Sequence, residues 1–262
     1  MAGHVHTPLC CTPKGLDPTM RSVAAENAIS INPLNRAPVE RLIKLIPGLA
    51  VSHPYISVLT SKRWKTKGVH LSVSFLDNPA QDLRDRIIGH MNAWNQTANV
   101  SFQETQGQGD VRIDRHGGDD GGYWSYLGTD ITLIDAGQPT MNLEKFTMNT
   151  PDSEFHRVVR HETGHTLGFP HEHMRGELIA KINRKKAIKY FMATQGWSRE
   201  EVIQQVLTPL EESSLFGTPH ADPNSIMCYQ IEAALTVDGK PILGGNDIDP
   251  SDYAFAAACY PK

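Results

Sequence analysis

Residues 161 to 171 run His161-Glu162-Thr163-Gly164-His165-Thr166-Leu167-Gly168-Phe169-Pro170-His171 and spell H-E-x-x-H-x-x-G-x-x-H without a gap. On a helix, two imidazoles four residues apart leave the same face one turn apart, so His161 and His165 can share one metal ion. Glu162 stands next to that face, where a carboxylate can take a proton from metal-bound water. Gly168 tolerates a positive φ, which ends the helix and turns the chain so that His171 comes back as third ligand. Five fixed positions would match by accident on the order of once in ten thousand chains of this length. The spacing therefore implies a zinc site, with three histidines and an acid beside them.

Such a site needs a rigid carrier. Thr150-Pro151-Asp152-Ser153-Glu154 offers an N-cap hydroxyl, a proline for the first helical position and acids for the first turn. Phe155, Val158 and Val159 supply an apolar side, and the signals predict a helix over about 151–167. Upstream, Val69 to Phe75 alternates with period two and predicts a strand. Pro79 opens a helix to about Asn95, with Leu83, Ile87, Met91 and Trp94 on one face. Val100–Phe102, Val111–Ile113 and Ile131–Ile134 read as further strands. This order predicts a mixed sheet backed by the first helix, with the histidine-bearing helix packed beneath it. Downstream, Lys185 to Thr194 reads as helix stopped by Gly196, Ser198 opens another short helix, and the proline-rich stretch 208–224 reads as loop. Near the N-terminus, short helical patterns occur around Met20–Ile29 and Val39–Ile46, the latter stopped by Pro47-Gly48. The Asp- and Gly-rich stretch Asp114–Gly122 reads as a solvated loop rather than a calcium site.

The chain has 262 residues, 39% of them hydrophobic, with a net charge of −4. That allows one sizeable core and lacks the basic footprint of a nucleic-acid binder. No apolar run approaches the roughly 18 residues a membrane span needs. Met1 to Pro8 lacks the cationic start and apolar stretch of a secretory signal, so the expected location is the cytoplasm or export by a non-standard route. Four cysteines are too few for a disulfide scaffold. They read as free thiols, with two sharper alternatives: a Cys228–Cys259 bridge, or a thiolate from Cys10 or Cys11 capping the zinc before activation.

Three segments together resemble the astacin branch of the metzincin zinc endopeptidases, over about Trp64 to Tyr260. Trp124-Ser125-Tyr126-Leu127-Gly128 is similar to that family's W-S-Y-V-G. The zinc motif continues through His171-Glu172-His173 to Arg175, close to G-F-x-H-E-H-x-R. Ser225-Ile226-Met227-Cys228-Tyr229 resembles the S-I-M-H-Y of the family's Met-turn, and Asp247 to Asp252 resembles the approach to its last helix.

The resemblance implies an α+β metzincin-type fold: a twisted mixed sheet with two long helices in an upper lobe, over a more irregular helical lower lobe. It also implies a zinc endopeptidase in which His161, His165 and His171 hold Zn2+, Tyr229 is an additional, movable ligand, and Glu162 is the general base. Met227 would be the hydrophobic floor under the metal, and Glu172 would meet the N-terminus of the mature enzyme. Residues 1–54 would be an N-terminal extension or prosegment, and 55–262 the catalytic domain. The expected partner is a protein or peptide substrate. Two departures stand out: Tyr123 occupies a position where the family has a cysteine, and Cys228 replaces the Met-turn histidine. The rival functions are a zinc-binding module without turnover, which retention of Glu162 argues against, and a zinc hydrolase of a non-peptide amide.

Overall fold

The computed structural model describes residues 11, 14–37, 40, 44, 60–117, 121–172, 175–208 and 221–262. Among these, five strands form one sheet in the order β2-β1-β3-β5-β4: β1 Val69–Phe75, β2 Val100–Glu104, β3 Val111–Asp114, β4 Tyr123–Ser125 and β5 Met141–Leu143. β1, β2, β3 and β5 run parallel, and β4 pairs antiparallel with β5 at the sheet's edge. The alternation in β1 is real: Val69, Leu71 and Val73 are buried and His70 is exposed.

The helix over that sheet is α2, Gln81–Met91, continued by a 3-10 segment Asn92–Gln96. It buries Leu83, Ile87, Met91 and Trp94, the face expected from their spacing. An earlier helix, α1, spans Arg21–Ile31 and buries Ala24, Ala25 and Ala28. The pattern around Val39–Ile46 lies largely outside the described residues, as does most of the 208–224 stretch.

The histidine-bearing run is helical but not uniform. It comprises α3 (Asp152–Glu154), a π-helical segment Phe155–Val159 and α4 (Arg160–Thr166). Its start differs from the expectation by one step. Pro151 is the cap, with extended backbone, and Asp152 is the first helical residue. The Thr150 hydroxyl instead accepts from the Thr147 N–H, closing the preceding turn. Such π segments are uncommon and tend to mark functional sites.

Two apolar clusters result. The upper one joins the sheet, α2 and the zinc-helix run through Trp94, Phe102, Phe146, Phe155 and Val159. The lower one gathers Leu178, Ile182, Phe191, Val202, Val206 and Ile231 from α5 (Gly176–Ile179), α6 (Arg184–Gln195), α7 (Arg199–Val202) and the loops after them. α6 starts on the Asn183 side chain and ends on Gly196 at φ 68°, as its sequence signals. α8, Pro250–Cys259, opens with a reciprocal capping box between Asp249 and Asp252.

Two readings fail. Ile131–Ile134 is no strand: Gly128–Leu133 is a 3-10 segment that buries Ile131 and leaves Thr132 exposed. Its entry is set by Gly128 at φ 48°, where a Cβ would lie 1.9 Å from the Lys62 carbonyl oxygen. The Cys228–Cys259 bridge is absent; both are buried free thiols. No described helix is long and apolar enough to cross a membrane.

Candidate metal centre

The zinc-helix run is held between the lobes from several sides. Trp94 Nε1 donates to the Arg160 carbonyl (2.9 Å) and Trp64 Nε1 to the Thr166 carbonyl (2.8 Å). Tyr260 O–H donates to the Leu167 carbonyl (2.5 Å), and the Ser125 and Thr166 hydroxyls bond at 3.0 Å. After α4, Gly168 adopts φ 90° and the Phe169 N–H returns to the Gly164 carbonyl (3.0 Å), which redirects the chain towards His171.

The three histidines then converge. His161 Nε2 and His165 Nε2 each lie 3.0 Å from His171 Nε2. His161 Nδ1 is 2.6 Å from the Ile226 carbonyl and His165 Nδ1 is 2.8 Å from the Phe169 carbonyl. A carbonyl only accepts, so both Nδ1 atoms carry the proton and both Nε2 lone pairs point inward. Two lone pairs thus face one His171 nitrogen, whose single proton could satisfy only one of them well. A cation at the point of convergence satisfies all three, and neutral imidazole nitrogens suit zinc. Burial also keeps His165 neutral, pushing its pKa down to about 4. The donor set therefore fits zinc.

Glu162 is fully buried beside them, and no other N–H or O–H of the described residues comes within hydrogen-bond geometry of its carboxylate oxygens. Desolvation raises its pKa to about 8, opposed first by a hydrogen bond from the Cys11 thiol and then by the charge of Arg157. Met227 lies directly under the helix: a methyl at Gly164 would come 2.4 Å from its sulfur. The Tyr229 ring packs on His171 with centroids 4.3 Å apart. Cys11 Sγ also joins the cluster, lying with the three histidine ligand atoms in a group no two of which are more than 4.8 Å apart.

The turn that carries Met227 is fixed from below. Asp252 accepts from the Ser225 hydroxyl (2.6 Å), the Ile226 N–H (2.8 Å) and the Asp249 N–H (3.1 Å). Since the Ile226 carbonyl in turn orients His161, Asp252 reaches a ligand through the backbone of one residue. Burial outweighs these donors and pushes the Asp252 pKa up to about 6. Glu172 makes an ion pair with Arg175 (3.0 Å), accepts from the Asp222 N–H (3.1 Å), and donates its own N–H to the Met227 carbonyl (2.8 Å). His173 lies outside the described residues.

All the residues expected at the centre are therefore together: His161, His165, His171, Glu162, Tyr229, Met227 and, one contact further out, Glu172. Sequence reasoning missed Asp252 and Gly164, whose roles depend on neighbours far along the chain. A second grouping, His90, Asp152 and His156, sits at the start of the run. Arg86 and Arg160 pair there with Asp152 and Asp247, so cations already fill the surroundings of these histidines.

The model of the astacin family of peptidases matches residues 57–242, well over half of the chain. This chain belongs to the astacin family. Among curated proteins it is 29% identical to zinc metalloproteinase nas-27 of Caenorhabditis elegans over 188 residues, covering 71% of this chain and 38% of that protein. It is also 29% identical to interstitial collagenase B of Mus musculus over 132 residues, covering 45% of this chain and 28% of the other. The chain thus spans about a third of the length of these relatives. Among solved structures, one of myroilysin matches with a TM-score of 0.71 and 28% identity, covering 77% of this chain and 96% of that one. High choriolytic enzyme 1, a hatching enzyme zinc-protease of Oryzias latipes, matches in fold at 19% identity and a TM-score of 0.50, covering 75% and 92%. The astacin fold is therefore the frame in which the three histidines stand, and zinc is the metal of this family.

Proposed function

We propose that this chain is a zinc-dependent endopeptidase in which Glu162 is the general base. The observation that carries the reading is the convergence of three imidazole nitrogens, two with fixed tautomers, beside a fully buried carboxylate. His161, His165 and His171 would hold the zinc, which would supply an acidified water and polarise the scissile carbonyl. Glu162 takes the water's proton as attack proceeds and returns it to the leaving nitrogen. Its burial favours this work, because a desolvated carboxylate holds a proton more readily than one in water. In this reading Tyr229, whose ring packs on His171, donates its O–H to the oxyanion that develops. The substrate is a protein or peptide. The edge strand β4 beside the centre carries backbone groups that an extended peptide would pair with in place of Cys11 and Lys14, which bridge to it here.

The test is Glu162→Gln. The amide is nearly isosteric but cannot take the proton, so the variant should keep one zinc and lose about 10²–10⁴-fold in peptide hydrolysis. Chelation should silence the unaltered chain, and added zinc should restore it. A variant with near-normal turnover would show that another group is the base.

A further inference from the structure

The C-terminal end of α4 is backed by residues 60–64, which are themselves held from far upstream. The Lys62 carbonyl accepts from the Thr129 N–H (2.9 Å) and abuts Gly168, where a Cβ would stand 2.8 Å from it. On the neighbouring polar groups sits the turn formed by Asn32 and the 3-10 segment Pro33–Arg36. Asn35 in that turn is fully buried. Its Nδ2 donates to the Ala28 carbonyl (2.8 Å) and the Arg63 carbonyl (2.9 Å), and its Oδ1 accepts from the Ser61 hydroxyl (2.7 Å) and the Arg63 N–H (3.1 Å). Those four bonds use every donor and acceptor site of an amide side chain. The Asn35 carbonyl also accepts from the Ser61 N–H (3.2 Å), and Asn32 Nδ2 donates to the Trp64 carbonyl (2.6 Å).

The helix before the turn adds an apolar hold. α1 has 11 residues, too few for a helix to persist alone in water. It packs on the 3-10 segment Gly128–Leu133 with Ala24, Ala25 and Ala28 buried, and Asn27 Nδ2 donates to the Thr132 hydroxyl (2.9 Å). Upstream, the Asp17 side chain accepts from the Thr19 N–H (2.8 Å) and starts the turn Pro18–Met20 that leads into α1. Residues 17–36 thus form one element with a cap at its start and a buried amide at its end.

We infer that residues 17–36 are a permanent part of the catalytic unit, and that a cut between Arg36 and Thr60 leaves them docked as a second chain. The surface they occupy is made by residues 61–64 and the segment Gly128–Leu133, and its occupant is this chain's own element. Its chemistry matches that occupant. The Arg63 N–H and the Arg63 and Trp64 carbonyls find their partners in Asn32 and Asn35, and the small alanines let α1 come close to the 3-10 turn. Departure of the element would break these buried bonds together and expose the apolar face beneath α1. No metal ligand and no catalytic group enters into the contact, so the inference stands apart from the peptidase reading.

The test uses the full chain in a Glu162→Gln background, which prevents self-digestion, with a recognition sequence for a site-specific protease inserted between residues 50 and 51. Once a denaturing gel shows the cut to be complete, size-exclusion chromatography at micromolar concentration should find both pieces at the mass of the uncut chain. They should separate only in denaturant. Asn35→Ala, introduced before the cut, should weaken the association of the two pieces at least about tenfold, as expected when buried groups lose their partners. Ala28→Asp, which forces a charge into the closed face, should release the N-terminal piece outright. Cys11→Ser, which alters the separate contact at β4, should leave the association unchanged. An N-terminal piece that elutes alone from the otherwise unaltered cut chain would overturn the inference. So would unchanged association in both Asn35→Ala and Ala28→Asp, or release on Cys11→Ser alone, which would move the hold to β4. None of these outcomes is read from turnover, so each leaves the peptidase reading to its own test.

Discussion

Gly164 offers a sharp test of how the metal floor is built. A Cβ there would stand 2.4 Å from Met227 Sδ, 3.1 Å from Met227 Cε and 3.3 Å from Trp94 Cζ2. A carbon and a sulfur need well over 3 Å, so the thioether must move by about 1 Å in a packed interior. The new methyl cannot swing aside instead, because the fully buried Trp94 ring stands 3.3 Å from it and is itself held by its bond to the Arg160 carbonyl. Overpacking of this kind costs about 1–3 kcal/mol, while Gly→Ala within a helix returns about 1 kcal/mol of propensity. Gly164→Ala should therefore destabilise by a net ~0–2 kcal/mol and lower Tm by up to roughly 8 °C.

Met227→Ala removes the obstacle and separates the two effects. Alone it should cost about 2–5 kcal/mol, as for a buried methionine truncated to alanine. In the double variant the new methyl meets open space, so Gly164→Ala should become neutral or stabilising, a coupling of at least ~1 kcal/mol. The assay is urea unfolding at fixed free zinc in a Glu162→Gln background, which prevents self-digestion and holds metal linkage constant. Strict additivity of the two substitutions, or a stabilising Gly164→Ala single variant, would refute the packing argument. Zinc affinity should fall in Gly164→Ala as well, because Met227 shares its turn with the Ile226 carbonyl that orients His161.

Tyr229→Phe keeps the ring on His171 and removes the hydroxyl, so kcat should drop roughly 10–10³-fold with KM and zinc content little changed. An unchanged kcat would remove the tyrosine from the mechanism. Asp252, with its pKa pushed up to about 6, holds its proton more tightly in the folded chain than in the unfolded one. Its contribution is thus fully present below about pH 4 and is lost as pH rises through 6, by at most roughly 3 kcal/mol. Asp252→Asn should flatten the stability profile across that window, and at a cost, since its NH2 would face an N–H or O–H donor. Parallel profiles for the two proteins between pH 4 and 7 would contradict this.

The metal centre was legible because its geometry is local. The four-residue step from His161 to His165 and the positive φ of Gly168 follow from helix periodicity and glycine stereochemistry alone, and the structure repeats both. The strands β1, β2 and β3 were readable for the same reason: each carries an apolar alternation or run long enough to name a face. β4 and β5 have three residues each, too short for any period to show, and they are defined by pairing across the sheet, Asn142 with Asp114 and Trp124. Ile131–Ile134 failed in the opposite sense. Its apolar run suggests a strand, but Gly128 packs against the Lys62 carbonyl and starts a 3-10 turn there.

What the chain hides is everything that acts across distance. Asp252 looks like an ordinary helix-capping acid, and indeed it caps α8, yet the same carboxylate holds Ser225 and Ile226 and through them His161. Gly164 falls on a variable position of the zinc motif and gains its meaning only when Met227 arrives from far downstream. Cys10 and Cys11 are equivalent as symbols, and neither has a spacing that ties it to the histidines. Cys10 lies outside the described residues, and Cys11 bridges to Tyr123 on the edge of β4, seconded by the bridge of Lys14 to Tyr126. That edge is available to Cys11 and Lys14 because β4 ends the sheet.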